Sequence, residues 1–476
     1  MRPPAWAQKV VTRVTGQASD VARDMVWLQR IPRAVSPDDT SSLLGTHIAI
    51  NKKECPFTFL ARLAGPDTVR LDHGVMSGSI PDAVYTRDPV LTRRVLQNKA
   101  NRRTTAWYRF HHRVFAYKAP RDLLTYSDAD DPNVSTLRKA YIAALSETFE
   151  RRETEIVAHI ERWTNATHGP VEMVRATRTL VAELAHMIGF GELPSNRLWV
   201  MGYRHPEPAM AEAKRHLAHL IWPVLDRLPM PYAVMHRSRA AVLRILSAYY
   251  FHQYRHSDRP DTLLASLRRS GAAEGEPDFA WRALPYILTA ASVILPFPMV
   301  MTLSVLAEHP EVQERVVREG LYTAALKESL RLYPAVPTIA RVISEHLESE
   351  SAVLEPMASP AGSLYMSPIA LLRDPRGWSR PDEFVIDRWL PGWTDDRDAD
   401  YRLYIPFGLG ARSCVGAAFA TKLLETFLRV VLPRRIVSNP SGQQPRWREG
   451  SINFVRRPCM LHFAERSPAV STSGGS

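Results

Sequence analysis

The stretch Phe407-Gly408-Leu409-Gly410-Ala411-Arg412-Ser413-Cys414-Val415-Gly416 places a cysteine where a glycine-rich loop turns into an apolar, helically spaced run from Val415 to Leu432. A sulfur at a helix N-terminus sees partial positive charge and free N–H groups, both of which favour the thiolate, the form that ligates metals. The glycines let the backbone pass close to a flat macrocycle, and Phe407 can shield the sulfur. Cys414 is therefore the candidate metal ligand. The other two cysteines, Cys55 and Cys459, have no such surroundings and read as small buried hydrophobes.

The pattern Phe, two residues, Gly, one residue, Arg, one residue, Cys, one residue, Gly is met at Phe407, Gly410, Arg412, Cys414 and Gly416. On these residues the chain resembles the cytochrome P-450 family, and further family marks extend the resemblance over roughly residues 80–465. The resemblance implies a mainly α fold with a small β region, a single large cytochrome P-450-type fold. It also implies heme b (iron protoporphyrin IX) bound through the Cys414 thiolate. The expected organisation is residues 1–80 as an N-terminal lead and start of the β region, 81–465 as the heme-thiolate catalytic domain, and 466–476 as a disordered tail.

Glu328 and Arg331, three apart in Lys327-Glu328-Ser329-Leu330-Arg331, share one helix face and can pair. In the family an arginine from a later segment joins them, which is Arg388 here, and the trio is structural. By family position Arg341 and Arg138, with Arg412, are expected to bind heme propionates, since guanidinium pairs bidentately with carboxylate. Val134 stands where many relatives carry a propionate-binding histidine.

Composition is that of an ordinary globular protein: of 476 residues, 45% are hydrophobic and 23% charged. Three cysteines argue against a disulfide framework and for a reducing, cytoplasmic setting. No uninterrupted apolar run long enough for a membrane anchor opens the chain, and the segment Met1 to Val35 reads as an amphipathic or irregular lead. The net charge of +12 favours acidic partners, an acidic ferredoxin or flavin reductase among them. Nucleic acid is not expected, because no basic-aromatic module or zinc pattern is present. The densest basic cluster is Arg102, Arg103, Arg109, Arg113, Lys118 and Arg121. The acidic runs Asp128 to Asp131 and Asp395 to Asp398 read as turns rather than magnesium sites.

Apolar spacing is mostly helical from Pro89 to Leu332, with breaks at Asp131-Pro132, Gly191 to Pro194, Pro229 to Pro231 and Gly271 to Pro277. Short strands are expected within Thr68 to Tyr85, Val336 to Val342 and Ser363 to Ser367.

One region departs from the family. Its long central helix carries an acid followed by an alcohol above the iron, and counting back from Leu306-Ala307-Glu308-His309-Pro310 aligns these with Val293 and Ile294. The distal positions Ser292, Val293 and Ile294 thus lack the pair, and Ser292 is the remaining polar side chain. Pro296 and Pro298 predict a kink, with Leu295 and Phe297 pushed toward extended geometry. Phe297, Thr338 and Ile339 are expected to line the pocket.

A missing side-chain relay removes a general-acid contribution typically worth about 10²- to 10⁴-fold. The leading expectation remains oxidation of a small lipophilic molecule in specialised metabolism, monooxygenase in type, with non-standard proton delivery. Three routes round the missing pair are a substrate hydroxyl with ordered water, direct use of peroxide, or a redox-neutral isomerisation, dehydration or cyclisation, for example of a terpenoid. The absence of Arg and Lys between Leu284 and Leu306 weighs against a fatty-acid-binding peroxide enzyme. A non-catalytic, partner-activating relative is a remote alternative.

Overall fold

The computed structural model describes residues 68–70, 83–98, 132–193, 257–273, 279–336, 338–342, 363–394, 398–443, 445, 447–448, 454–455 and 458–466. The basic cluster at 102–121, the Asp128–Asp131 run, Asp395 and Asp396, Pro229–Pro231, Cys55, the tail from residue 467, and the side chains of Val134 and Val293 lie outside that set.

In chain order the elements are β1 (Thr68–Arg70), β2 (Ala83–Thr86), α1 (Pro89–Gln97), α2 (Pro132–Asn165), β3 (Gly169–Glu172), α3 (Met173–Phe190), α4 (Leu263–Ala273), α5 (Phe279–Ile294), α6 (Pro296–Glu308), α7 (Pro310–Glu319) and α8 (Tyr322–Leu332). There follow β4 (Ile339–Val342), β5 (Ser363–Met366), α9 (Pro368–Leu371), 3-10 turns at Ile386–Trp389 and Gly410–Arg412, α10 (Ala417–Val431), β6 (Arg435–Ser438), β7 (Trp447–Arg448), β8 (Phe454–Val455) and β9 (Met460–Glu465). The protein is mainly helical with small sheets.

Helix boundaries follow local chemistry. Asp88 caps α1, accepting from the Val90 and Leu91 N–H groups at 2.8 and 3.2 Å, and Pro89 occupies a first-turn position where its missing donor costs little. Helix α3 ends at Gly191, whose φ of +88° suits a residue without a Cβ. Helix α8 gives way at Tyr333, the residue before Pro334.

The largest sheet has strand order β1-β2-β5-β4, with β2 and β5 parallel and the other pairs antiparallel. A strand before residue 80 therefore pairs with one after it, and both join the segment that follows α8. A second sheet, β3-β9-β6, is antiparallel and packs the chain's end against the α2–α3 connection.

The main core runs through α2, α3, α5, α6, α8 and α10, and a smaller cluster (Val95, Leu96, Leu364, Met366, Leu371, Leu403, Ile405) sits between α1 and the first sheet. The run Ala290–Glu308 is long and apolar enough to cross a membrane, but 82% of it is buried inside the protein, as befits a core helix.

The junction of α5 and α6 corrects one expectation. Leu295 is not extended: its φ of −62° and ψ of −31° are right-handed helical. Its N–H donates to Ala291 O at 3.0 Å, and its carbonyl accepts from Met299 at 3.3 Å. Phe297 likewise lies inside α6. Pro296 begins a new helix at the position that tolerates proline best, so the break is confined to one residue.

Candidate functional site

The cysteine loop leaves the segment Leu403–Ile405, turns at Gly408 and Gly410, and enters α10 through Gly416. Gly408 and Gly410 have φ of +73° and +74°, the left-handed region that disfavours side chains. At Gly410 a second reason appears: a Cβ there would lie 2.2 Å from the Leu96 carbonyl oxygen at the end of α1. The glycine is needed for contact with α1 as well as for the turn, whereas its spacing in the sequence suggested only room for a macrocycle. The turn is locked by a hydrogen bond from Cys414 N–H to Phe407 O at 2.8 Å.

Cys414 retains exposed surface, yet burial pushes its thiol pKa up, with the Gly416 N–H and the Arg138 charge pulling it back. These observations agree if the sulfur faces a hollow inside the protein rather than bulk water. The neighbouring apolar side chains support this: Phe407, Val415, Phe419 and Ala420 pack against the main core but are only partly buried. On α5, Ile294 and Ala291 are half-buried and Ala290 is exposed, although the helix runs through the core.

Glu328 forms the best-connected polar centre. Its carboxylate accepts from Arg331 Nε and Nη2 at 2.9 and 2.8 Å, from Arg388 Nε at 3.1 Å, from Trp389 Nε1 at 3.0 Å and from the Val385 N–H at 3.0 Å. Arg331 also donates to the carbonyls of Leu372, Pro381 and Glu383, and Arg388 to Ser379 Oγ and the Arg380 carbonyl. Arg380, the one non-glycine with positive φ among the described residues, is held at +40° by this network. The structure thus brings together the trio anticipated from sequence and adds Trp389 and Val385, neither of which carried a signal beyond proximity to Arg388.

Several expected site residues sit differently. Arg138 donates to the Ser413 carbonyl at 2.8 Å and to Ser413 Oγ at 3.1 Å, so α2 grips the cysteine loop directly. Arg341 is buried in β4 and donates to the Ala340 carbonyl at 2.8 Å. Arg412 is half-buried in the 3-10 turn before Cys414.

Ser292 is buried, and its hydroxyl donates to Leu288 O at 2.7 Å, the back-bond that helical serines make to the preceding turn. Its proton is committed to its own helix. Phe297 is 3% exposed and packs within the main core. Ile339 packs on the smaller cluster by α1, and its Cδ1 lies 3.9 Å from where a Cβ on Gly408 would stand, so it supports the cysteine loop. Thr338 is half-buried, and its buried hydroxyl has no hydrogen-bond partner among the described residues.

Residues 287–460 match the family model described as Cytochrome P450. Over that stretch, and in its fold, the chain is similar to the cytochrome P450 family. Over 240 residues it is 27% identical to (S)-N-methylcanadine 1-hydroxylase of Papaver somniferum, covering 44% of this chain and 41% of that protein. Over 191 residues it is 32% identical to the mitochondrial cytochrome P450 11B2 of Mesocricetus auratus, covering 36% and 35%. The alignments therefore span well under half of these curated relatives' own lengths. Among solved structures, the cytochrome P450DA heme domain superimposes with a TM-score of 0.68 at 19% identity, covering 92% of this chain and 98% of that one.

The cytochrome P450 family and fold imply a heme-thiolate cofactor, and the residues present fit one. Cys414 offers a soft sulfur donor beside the partly buried apolar side chains Phe407, Val415, Phe419 and Ala420, and no group of three or more His, Cys, Asp or Glu side chains suited to another metal occurs among the described residues.

Proposed function

We propose that this chain is a heme-thiolate monooxygenase acting on a small lipophilic molecule, with heme b as its cofactor. The observation that carries the reading is Cys414, presented by a backbone-locked loop beside the partly buried apolar side chains Phe407, Val415 and Phe419. Heme so bound supplies activation of oxygen for insertion into unreactive bonds. The protein's part is to hold the sulfur, exclude water and orient the substrate.

The Phe407 carbonyl fixes the Cys414 backbone, and the Gly416 N–H hydrogen-bonds the sulfur and favours its charged form. Arg138 holds Ser413, the preceding residue, in register. Arg412 and Arg341 are the guanidinium groups assigned to anionic propionates. The half-buried Ile294 and Ala291 shape an apolar ceiling that admits hydrocarbon and disfavours water. Thr338, with its unanswered hydroxyl, is the polar contact offered to substrate.

Ser292 holds its proton on Leu288 O, and no acid stands beside it in the sequence, so α5 offers no ready-made side-chain relay. Proton delivery in this reading runs through ordered water or a hydroxyl of the substrate itself. A terpenoid alcohol meets that need, and a role in specialised metabolism, a cytoplasmic location and electron supply by an acidic ferredoxin or a flavin reductase complete the proposal.

The test is spectroscopic first. The reduced carbon monoxide complex of the purified protein is expected to show the red-shifted thiolate Soret band, and Cys414→Ala is expected to abolish it. An unchanged band in the variant overturns the assignment. The same feature of α5 favours one second reading, a redox-neutral isomerase, dehydratase or cyclase. Turnover that persists without reductant and without oxygen establishes that reading and ends the first.

A further inference from the structure

Helices α2, α3, α4, α5 and α10 line a small, partly open hollow with room for a single water-sized body and no polar lining surface. Its walls include Leu145, Val181, Leu184, Ile188, Leu288 and Phe419, all buried except Phe419. A buried water makes about three hydrogen bonds, and here it would find none, so the hollow is dry. Dry apolar cavities take up apolar guests. The size excludes any lipophilic organic substrate and leaves a gas molecule.

The position is informative. The α5 wall includes Leu288 and Ala291; Ala291 lines the hollow yet is itself only half-buried, and Ala290 beside it is exposed. The α10 wall includes Phe419, five residues after Cys414. The hollow therefore lies against α5 and against α10, the helix that follows the cysteine loop.

We propose that this hollow is a binding site for a small apolar gas and that it stages dioxygen beside the site. That the gas is dioxygen rests on the monooxygenase reading; the existence of the site does not. The apolar walls offer dioxygen the solvation of a hydrocarbon, in which it dissolves better than in water, and the single-molecule volume keeps larger ligands out.

The experiment is methyl NMR of the full chain under pressurised dioxygen, whose paramagnetism accelerates relaxation of nearby methyls. Methyls of Leu184, Ile188 and Leu288 are expected to relax faster than equally buried methyls outside the hollow, such as those of Val316 and Leu330. Ala185→Val, which adds bulk from the α3 wall, is expected to abolish the excess, and Val181→Ile, filling from another point, repeats the test should the first variant fail to fold. Equal relaxation throughout, or an excess that survives both fillings, overturns the site.

Staging is read separately. The half-saturating dioxygen concentration is expected to rise in the filled variants while spectrally measured substrate affinity stays the same, and an unchanged oxygen dependence overturns staging. Turnover without oxygen would defeat the monooxygenase reading and leave the relaxation result standing.

Discussion

At Glu328 one buried carboxylate collects donors from Arg331, Arg388, Trp389 and Val385. At the α5–α6 junction the buried polar side chain, Ser292, donates to the carbonyl of its own preceding turn. The first region is over-determined: each partner is held by several others, and the strained backbone of Arg380 persists because Arg388 fixes its carbonyl. The second is held by hydrocarbon contact and by helix geometry that survives two prolines. A scaffold that must grip a large prosthetic group concentrates its polar bonds in the frame, and a ceiling that must suit one particular substrate is left apolar and free to vary.

The comparison can be broken first at its polar end. Removing charge from the network with Glu328→Gln leaves Arg331 and Arg388 buried without their counter-ion, and a loss of about 3–5 kcal/mol is expected in denaturant unfolding, with failure to retain heme. A change under about 1 kcal/mol would show the network to be incidental.

Next in size is Gly410→Ala. The substitution adds a side chain at positive φ and drives it against the Leu96 carbonyl, so a destabilisation of about 1–3 kcal/mol is expected from strain alone, with release of α1 seen as faster amide exchange in residues 89–97.

Thr338→Val carries the opposite sign. Its hydroxyl is buried and unanswered, so the heme-free, substrate-free chain should gain up to about 1 kcal/mol on losing it, while binding of a hydroxylated ligand weakens relative to its deoxy analogue. Equal binding of the two ligands before and after would remove Thr338 from the pocket.

The smallest effect lies outside both regions. Asp387 is bonded by Arg315 at 2.7 and 2.9 Å, and that guanidinium holds its carboxyl below the usual range. A depressed carboxylate contributes stability above its unfolded pKa of about 3.9 and loses it as pH falls through the folded value. Asp387→Asn should therefore lower stability at neutral pH by about 0.2–1 kcal/mol, as partly exposed pairs do, and the difference should vanish below that window.

The cysteine loop was legible in the sequence because its information is contiguous: turn glycines, sulfur and helix start lie within ten residues. Glu328 and Arg331 were legible for the same reason, three positions apart on one helix. Arg388 was reached only through family resemblance, since nothing local links it to a carboxylate 60 residues earlier. The Arg138–Ser413 contact spans 275 residues and left no pattern at all in the sequence. The prolines were read correctly as a break but not in kind, because proline at the first position of a new helix avoids the steric conflict that an interior proline meets. Ser292, Phe297 and Ile339 were placed by counting along a helix and a strand, which gives position along the axis but not which neighbour each side chain faces.

The approach of Gly410 to the Leu96 carbonyl has a consequence for biosynthesis. The loop that offers the sulfur is braced by a helix made more than 300 residues before it, so the contact cannot form on a ribosome until the loop itself has emerged. Cofactor capture then comes late in the polypeptide's production, and a transcript cut short ahead of the loop yields a chain with its brace intact and nothing to hold.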